Sequence, residues 1–249
     1  MTRIASHRGG TLEFGDSTPQ GFAATARMRL DEVEFDVHPT SDGNIVVHHD
    51  ATLDATTDMC GAIASMTLDQ VRQATIKYSS GGHPLTLDEL CALYSDSHVN
   101  LRCEIKPSVD GLPYQGFVRQ VVSLLERQSM LERTTFSSFL VESIDDLSKA
   151  TDRPLLWLVS PPVLKQIGPR GIVELCKLHD IPEIGVHIDT ADKELTKFVT
   201  EAGLHFGCWA AHTRDQIQKA LELGTKVFTT DRPSLAIAVR EEFHAGGKA

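Results

Sequence analysis

Short β-rich runs alternate with amphipathic helical stretches along the whole chain, and no other feature of the sequence limits the fold as strongly. Repeated strand-then-helix units require parallel strands joined by helical crossovers. Eight strand-like runs can be counted: Arg3 to Ser6, Val33 to Val37, Val99 to Ile105, Thr134 to Phe136, Leu155 to Val159, Ile184 to Ile188, Leu204 to Trp209 and Lys226 to Thr229. Helical stretches fall between them at Gln115 to Gln128, Val141 to Ala150, Val163 to His179, Lys193 to Ala202, Arg214 to Leu223 and Ser234 to Phe243. Eight such units in 249 residues are the arithmetic of an α/β (β/α)8 TIM barrel, read as one domain spanning residues 1–249.

One connection is too long for a simple crossover. Pro39 to about Pro84 separates the second strand from its helix, which is expected to begin at Thr86 in TLDELCALY. Asp42-Gly43-Asn44 reads as the turn of a hairpin into Ile45-Val46-Val47. Polar sequence then runs to Ser79-Ser80-Gly81-Gly82, so residues 51–84 are expected to form a small insertion, lid-like over the barrel mouth. Its Met59, Ile63 and Met66 form either a small core beneath it or a contact through which barrels pair as a homo-oligomer. The tail His244 to Ala249 is expected to fray.

Charge excludes some partners. With 24 basic against 34 acidic residues, a net charge of −10 and no Lys/Arg cluster, neither a nucleic acid nor an anionic membrane surface is expected to bind. An anionic small substrate must therefore find local positive charge. The five cysteines are scattered without a CxxC spacing, which argues against a disulfide framework or a zinc site and for a reducing cytoplasmic location. No run approaches a membrane span, and the start of the chain does not read as a targeting segment.

Against this background three carboxylates stand out. Glu34 and Asp36 lie in VEFDV and Glu104 in LRCEIK, apolar strands in which an unpaired charge is costly. Residues two apart share a strand face, so Glu34, Asp36 and His38 point together, as do Arg102, Glu104 and Lys106. Barrel active sites sit at the carboxyl ends of the strands, which places Asp36, Glu104 and Lys106 at the mouth with His7 and Arg8. His48-His49-Asp50 follows the hairpin. For any single carboxylate a structural ion pair is as good a reading, but three acids, two histidines, an Arg and a Lys at one end of neighbouring strands point to a site. His187 and Asp189 read as a hydrogen-bonded pair without a catalytic task. Cys103, on the opposite face from Arg102 and Glu104, reads as packing.

At this point the chain resembles the glycerophosphodiester phosphodiesterase family, in HRGG, EFDVHPTSDGNIVVHHD, LRCEIK, Ser137-Ser138-Phe139, Trp209 and TTDRP. HRG alone is a weak string; HRG followed by E-x-D, H-D and E-x-K is specific, and the resemblance spans almost the whole chain. It implies a TIM barrel that hydrolyses small-molecule glycerophosphodiesters to sn-glycerol 3-phosphate and an alcohol. By matching position, Glu34, Asp36 and Glu104 are the implied metal ligands, His7 and His49 the acid/base pair, and Arg8 and Lys106 the phosphate contacts. Where the family commonly carries Glu-Asn-Thr, this chain has Asp16-Ser17-Thr18-Pro19, which leaves the role of Asp16 open between loop support and a water-mediated metal contact. Asp50 either orients His49 or forms the turn.

An all-carboxylate site selects a hard cation, Mg²⁺ or Ca²⁺, over zinc. Three carboxylates, a divalent ion, Arg8 and Lys106 leave one positive charge, which a phosphodiester monoanion neutralises. The expected chemistry has His7 as base and His49 as acid, with either the glycerol 2-hydroxyl or a water as nucleophile. Phe139 and Trp209 either wall the substrate pocket or simply pack. A glycoside hydrolase would leave HRGG, Lys106 and two histidines idle. A phosphodiesterase acting on phospholipid head groups would need a larger apolar rim, and a noncatalytic barrel would be expected to lack one of the seven central residues.

Overall fold

The computed structural model describes residues 1–78 and 81–246, so the Ser79-Ser80 step and residues 247–249 of the tail lie outside the described residues. The strands are β1 (Arg3–His7), β2 (Glu32–Pro39), β3 (Ile45–Val47), β4 (Asn100–Ile105), β5 (Thr134–Ser138), β6 (Leu155–Val159), β7 (Glu183–His187), β8 (His205–Trp209) and β9 (Val227–Thr230). β1 pairs in parallel with both β2 and β9, which closes a parallel eight-stranded barrel in the order β1-β9-β8-β7-β6-β5-β4-β2. Helices surround it: this is the (β/α)8 TIM barrel expected from the alternation. β3 pairs antiparallel with Val37–Pro39 of β2, beyond the point where β1 stops.

The two faces of each strand have different fates. Val33, Phe35 and Val37 of β2 and Leu101, Cys103 and Ile105 of β4 join the core between barrel and helices, all at 2% exposure or less. Each such side chain contributes about 1.5–3 kcal/mol by leaving water. Cys103 has the packing role expected of it, and burial pushes its thiol well above the ordinary range. The alternate residues face the barrel axis. There Glu34 lies opposite Arg102, Asp36 opposite Glu104, and Glu104 opposite Ser137.

The helix after the long connection begins where its cap dictates. The Thr86 hydroxyl accepts from Glu89 N–H at 3.2 Å while the Glu89 carboxylate accepts from Thr86 N–H at 2.8 Å, a capping box of about 1 kcal/mol. Two departures from the sequence reading occur. Short helices at Thr11–Phe14 and Pro19–Thr25 fill the first crossover, where none was read. The helix read without a break over Val163 to His179 runs Pro161–Leu178 and is interrupted at Gly168, whose φ of 68° precedes Pro169. Proline cannot donate into the preceding turn, so the helix restarts there. The last helix continues through Gly246, so His244 to Gly246 are helical where fraying was expected.

Val46 of β3 and Leu53, Ile63, Val71 and Ala74 after it form a small apolar cluster, with Met59 and Met66 packed against it. His48 fastens this segment to the barrel mouth. Its Nδ1–H donates to the Asp50 carbonyl and its Nε2 accepts from the Thr56 hydroxyl, each at 2.8 Å. Among the described residues no helix is long and apolar enough to cross a membrane.

Candidate active site

The HRGG turn sets the first part of the site. After His7 ends β1, Arg8, Gly9 and Gly10 all adopt left-handed backbone, with φ of 49°, 75° and 87°. A Cβ on Gly9 would lie 3.0 Å from the backbone nitrogen of Phe22, so only glycine fits that approach. Arg8 has no such freedom and carries roughly 1–2 kcal/mol of backbone strain. It is held by its N–H, which donates to the Glu34 carbonyl at 3.0 Å and faces the Glu34 carboxylate at 3.2 Å.

That turn aims the guanidinium at the carboxylates. Arg8 Nη1 donates to Asp16 at 2.7 Å, and its Nε stands 3.3 Å from Asp36. Asp16 therefore orients Arg8. From β4, Lys106 Nζ lies 2.8 Å from Glu104 and 3.4 Å from Asp36. Oxygens of Glu34, Asp36 and Glu104 all lie within 4.8 Å of one another, and all three residues are buried.

The protein satisfies these carboxylates only in part. Neither oxygen of Asp36 accepts a hydrogen bond, although the residue is 1% exposed. Burial and the neighbouring charges of Asp36 and Glu104 push the Glu34 carboxyl well above the usual range. Glu104 is raised too, by burial against the pull of Lys106. Asp36 is the exception: burial acts to raise it, but Lys106, His49, Arg8 and His7 together hold it below the carboxylate range. A mutual spacing of up to 4.8 Å suits three oxygens around one ion at the about 2.3–2.6 Å of Ca²⁺–oxygen contacts, and a small contraction suits Mg²⁺. The donor set is therefore compatible with a hard divalent cation.

The two histidines are each tethered at one nitrogen. His7 Nδ1–H donates to Asp231 at 2.5 Å, and its Nε2 lies 3.9 Å from Glu34. His49 Nδ1–H donates to Asp50 at 2.6 Å. On both rings Nε2 makes no hydrogen bond among the described residues. His38, which shares a strand face with Asp36, supports His49 instead of entering the cluster. Its Nε2–H donates to the His49 carbonyl at 3.1 Å and its Nδ1 accepts from Tyr114 at 3.0 Å, while burial lowers its pKa to about 4.

A cavity of about 270 Å³ opens over this constellation and runs into the barrel. His7, Arg8, Glu34, His49, Glu104, Phe139 and Trp209 line it, and Asp36 and Lys106 stand directly behind through their ion pairs. Phe139 and Trp209 meet edge to face at 5.7 Å, and the Trp209 N–H and Ser137 hydroxyl make no hydrogen bond. His187 packs edge-on against Trp209 at 4.6 Å while its Nδ1 accepts from Asp189 N–H, the rim pair read from the sequence.

Two residues near His7 were not singled out in the sequence. Asp231 follows β9, and His212 follows β8 and lines the cavity 6.2 Å from the His7 ring. His212 Nδ1 accepts from the Asp231 N–H at 3.0 Å, and burial keeps its pKa below the free value. The only sequence signals were a polar residue just past each strand end and the TTDRP string.

Residues 7–235 match the model of the glycerophosphoryl diester phosphodiesterase family. A glycerophosphodiester phosphodiesterase of Bacillus altitudinis is 27% identical, over 97% of this chain and 99% of its own length. The crystal structure of a candidate glycerophosphoryl diester phosphodiesterase from Agrobacterium tumefaciens str. C58 is 71% identical, with a TM-score of 0.98 over 98% of this chain and 99% of that one. A phosphodiesterase of Oleispira antarctica, solved with the product sn-glycerol-3-phosphate, shares the fold at 21% identity, with a TM-score of 0.80 over 97% of each chain.

Proposed function

The chain belongs to the glycerophosphoryl diester phosphodiesterase family and is a phosphoric diester hydrolase, and from that premise we propose a metal-assisted reaction with histidine acid/base catalysis. The substrate would be a small glycerophosphodiester and the products sn-glycerol 3-phosphate and an alcohol, in line with the product held by the Oleispira antarctica relative. The observation that carries this reading is the buried Asp36 carboxylate, accepting no hydrogen bond, within a ring of Glu34 and Glu104 oxygens. Arg8 and Lys106 supply two positive charges for the three buried carboxylates, and a further cation would complete the set.

Glu34, Asp36 and Glu104 would hold Mg²⁺ or Ca²⁺, which supplies Lewis-acid polarisation of the phosphoryl oxygens when bound. Arg8, fixed by Asp16, and Lys106 would stabilise charge as it grows on the nonbridging oxygens. His7 Nε2 takes the proton of the attacking hydroxyl, and Asp231 holds the ring and stabilises the imidazolium that forms. His49 Nε2 gives a proton to the departing alcohol, with Asp50 in the corresponding place. Phe139 and Trp209 wall the inner cavity against the glycerol, whose 2-hydroxyl or a water is the nucleophile. Residues 1–249 would act as one domain, with 51–84 as an insertion beside the mouth.

The test is glycerol 3-phosphate release from a panel of glycerophosphodiesters with Mg²⁺, Ca²⁺ or EDTA, with Glu34→Gln as control. Metal-dependent release that the variant lacks is the expected result. A folded, metal-binding protein that releases nothing from any diester would refute the substrate class.

A further inference from the structure

A second, shallower cavity of about 360 Å³ opens beside the first, between the segment after His49 and the loop after β4. His49 lines both cavities, whereas His7 lines only the inner one. That asymmetry gives the substrate a direction. In-line displacement places attacking and leaving oxygens on opposite sides of phosphorus. With His7 serving the attacking oxygen from the inner cavity, the leaving oxygen lies on the side of His49 and the outer cavity.

We propose that the outer cavity is the subsite of the alcohol head group and that it favours cationic and neutral alcohols over anionic ones. This rests on the acid/base reading of His7 and His49 above. In the step itself, the phosphorus–oxygen bond to the alcohol breaks with its electron pair leaving on that oxygen, which takes the proton from His49 Nε2. The attacking oxygen bonds to phosphorus as its own proton passes to His7 Nε2.

The selection follows from the charges along the outer cavity. Asp50 is the one carboxylate among its lining residues, with its side chain 40% exposed. The ammonium of Lys106 is committed to Glu104 and Asp36. Both ring nitrogens of His38 are engaged, with the His49 carbonyl and the Tyr114 hydroxyl, so it offers no free donor to a head group. Ala51, Thr52, Pro107, Ser108 and Val109 add no charge. Asp50 matches the charge that His49 carries while it holds the proton for the leaving oxygen, so an anionic head group finds no spare cation in the lining and meets the bare carboxylate once that proton has gone. The wall is preformed as well: Ser108 N–H donates to the Leu112 carbonyl at 2.8 Å and Gly111 N–H to the Ser108 carbonyl at 2.9 Å, closing the loop on itself.

Val109 offers the test, because it edges the cavity, is 58% exposed and has no part in the chemistry. The metal-loaded full chain, Val109→Glu and Val109→Lys are compared by kcat/KM on the choline, glycerol and glycolate diesters of glycerol phosphate. A Leu178→Glu variant, on an exposed residue at the far end of its helix, controls for net charge. The parent is expected to prefer the choline ester to the glycolate ester. Val109→Glu should widen that ratio by roughly three- to tenfold and Val109→Lys should narrow it by as much, as one charge some 7 Å away implies. The ratio in Leu178→Glu should hold within about twofold, since a distant exposed charge is largely screened. A ratio unmoved by both Val109 variants, with the glycerol ester still hydrolysed, would place the head group elsewhere. A parent that prefers the glycolate ester would overturn the charge selection. Failure of the parent on all three esters would instead remove the underlying reading, and the inference with it.

Discussion

Replacing Asp231 by Asn separates the charge of this residue from its shape. His7 Nδ1–H donates to Asp231 Oδ1 at 2.5 Å, and the Asp231 side chain is 13% exposed. In the variant the Asn carbonyl can take the same N–H while its amide nitrogen faces His212 Nδ1, which stands 3.5 Å from Asp231 Oδ2. The His7 ring keeps its orientation and loses only the neighbouring negative charge. When His7 accepts a proton, two unit charges about 4 Å apart attract by about 4 kcal/mol at an effective dielectric of about 20. His7 is 23% exposed, and solvent screening reduces this to about 2 kcal/mol, a roughly thirtyfold fall in kcat/KM. Asp231→Ala also frees the ring and should lose more, up to the about 10²–10⁴-fold ceiling of general base catalysis. The assay is glycerol 3-phosphate release at saturating metal, with melting curves to establish folding and a double-mutant cycle with His7→Ala. Asp231→Asn should slow the His7→Ala protein no further. Turnover within threefold of the parent, or a thirtyfold loss that persists without His7, would refute the pairing.

Metal removal gives a second expectation. Mg²⁺ or Ca²⁺ at about 100 times its Kd should stabilise the chain by about 2.7 kcal/mol, read as a rise in Tm that EDTA reverses and Asp36→Asn abolishes. Arg102→Met should lower unfolding free energy by about 1.5–3 kcal/mol in urea titrations, because Arg102 is 2% exposed and its loss takes from Glu32 a charged partner at 2.6 Å and from Glu183 one at 3.9 Å, leaving them Arg3 and Lys226. His212 gives a pH dependence. Burial lowers its folded pKa below the ordinary value of about 6.5, so the unfolded chain binds more protons there and the stability contributed by neutral His212 is lost as pH falls below about 6.5. The stability advantage of the parent over His212→Asn should therefore shrink from pH 7 to pH 5, and an advantage that grows would contradict the burial argument.

The strands were legible because a half-polar, half-apolar period of two has no other home than a wall with an outer core. VEFDV and LRCEIK carried both the barrel and its carboxylates in one pattern. The first crossover was not legible: Thr11–Phe14 and Pro19–Thr25 are too short to show a helical period, and Gly15 lies between them. The break at Gly168 shows in the sequence only as a Gly-Pro step inside a stretch read as one helix. Carboxylates at strand ends announce themselves through burial. Asp231 does not, because its value comes from barrel closure, which brings β9 beside β1 and joins residues 224 apart in sequence. His212 was hidden for the same reason. Asp16 showed its residue type in the sequence but not its partner, which the left-handed turn at Arg8 determines.

Residue type alone does not separate the two buried charged rows of this barrel, but charge balance does. Toward the amino ends of the strands, Glu32 and Glu183 face Arg102, with Arg3 and Lys226 reaching in from the rim. Two carboxylates meet three cations, and each carboxylate is ion-paired. That row lacks no positive charge and reads as structure, although Glu32 Oε1, Arg102 Nη1 and Glu183 Oε1 likewise make no hydrogen bond. Toward the carboxyl ends, Glu34, Asp36 and Glu104 face two permanent cations among the described residues, Arg8 and Lys106. Three carboxylates meet two cations, Asp36 accepts no hydrogen bond, and Glu34 is pushed well above the carboxylate range by burial and its neighbours. A divalent cation would turn that deficit of one positive charge into an excess of one, which a phosphodiester monoanion removes. The two rows should then respond oppositely to substitution. Arg102→Met should lower stability while leaving the metal-dependent rise in Tm, whereas Asp36→Asn should abolish that rise. Loss of the rise in Arg102→Met, in protein that remains folded, would show that the two rows act as one.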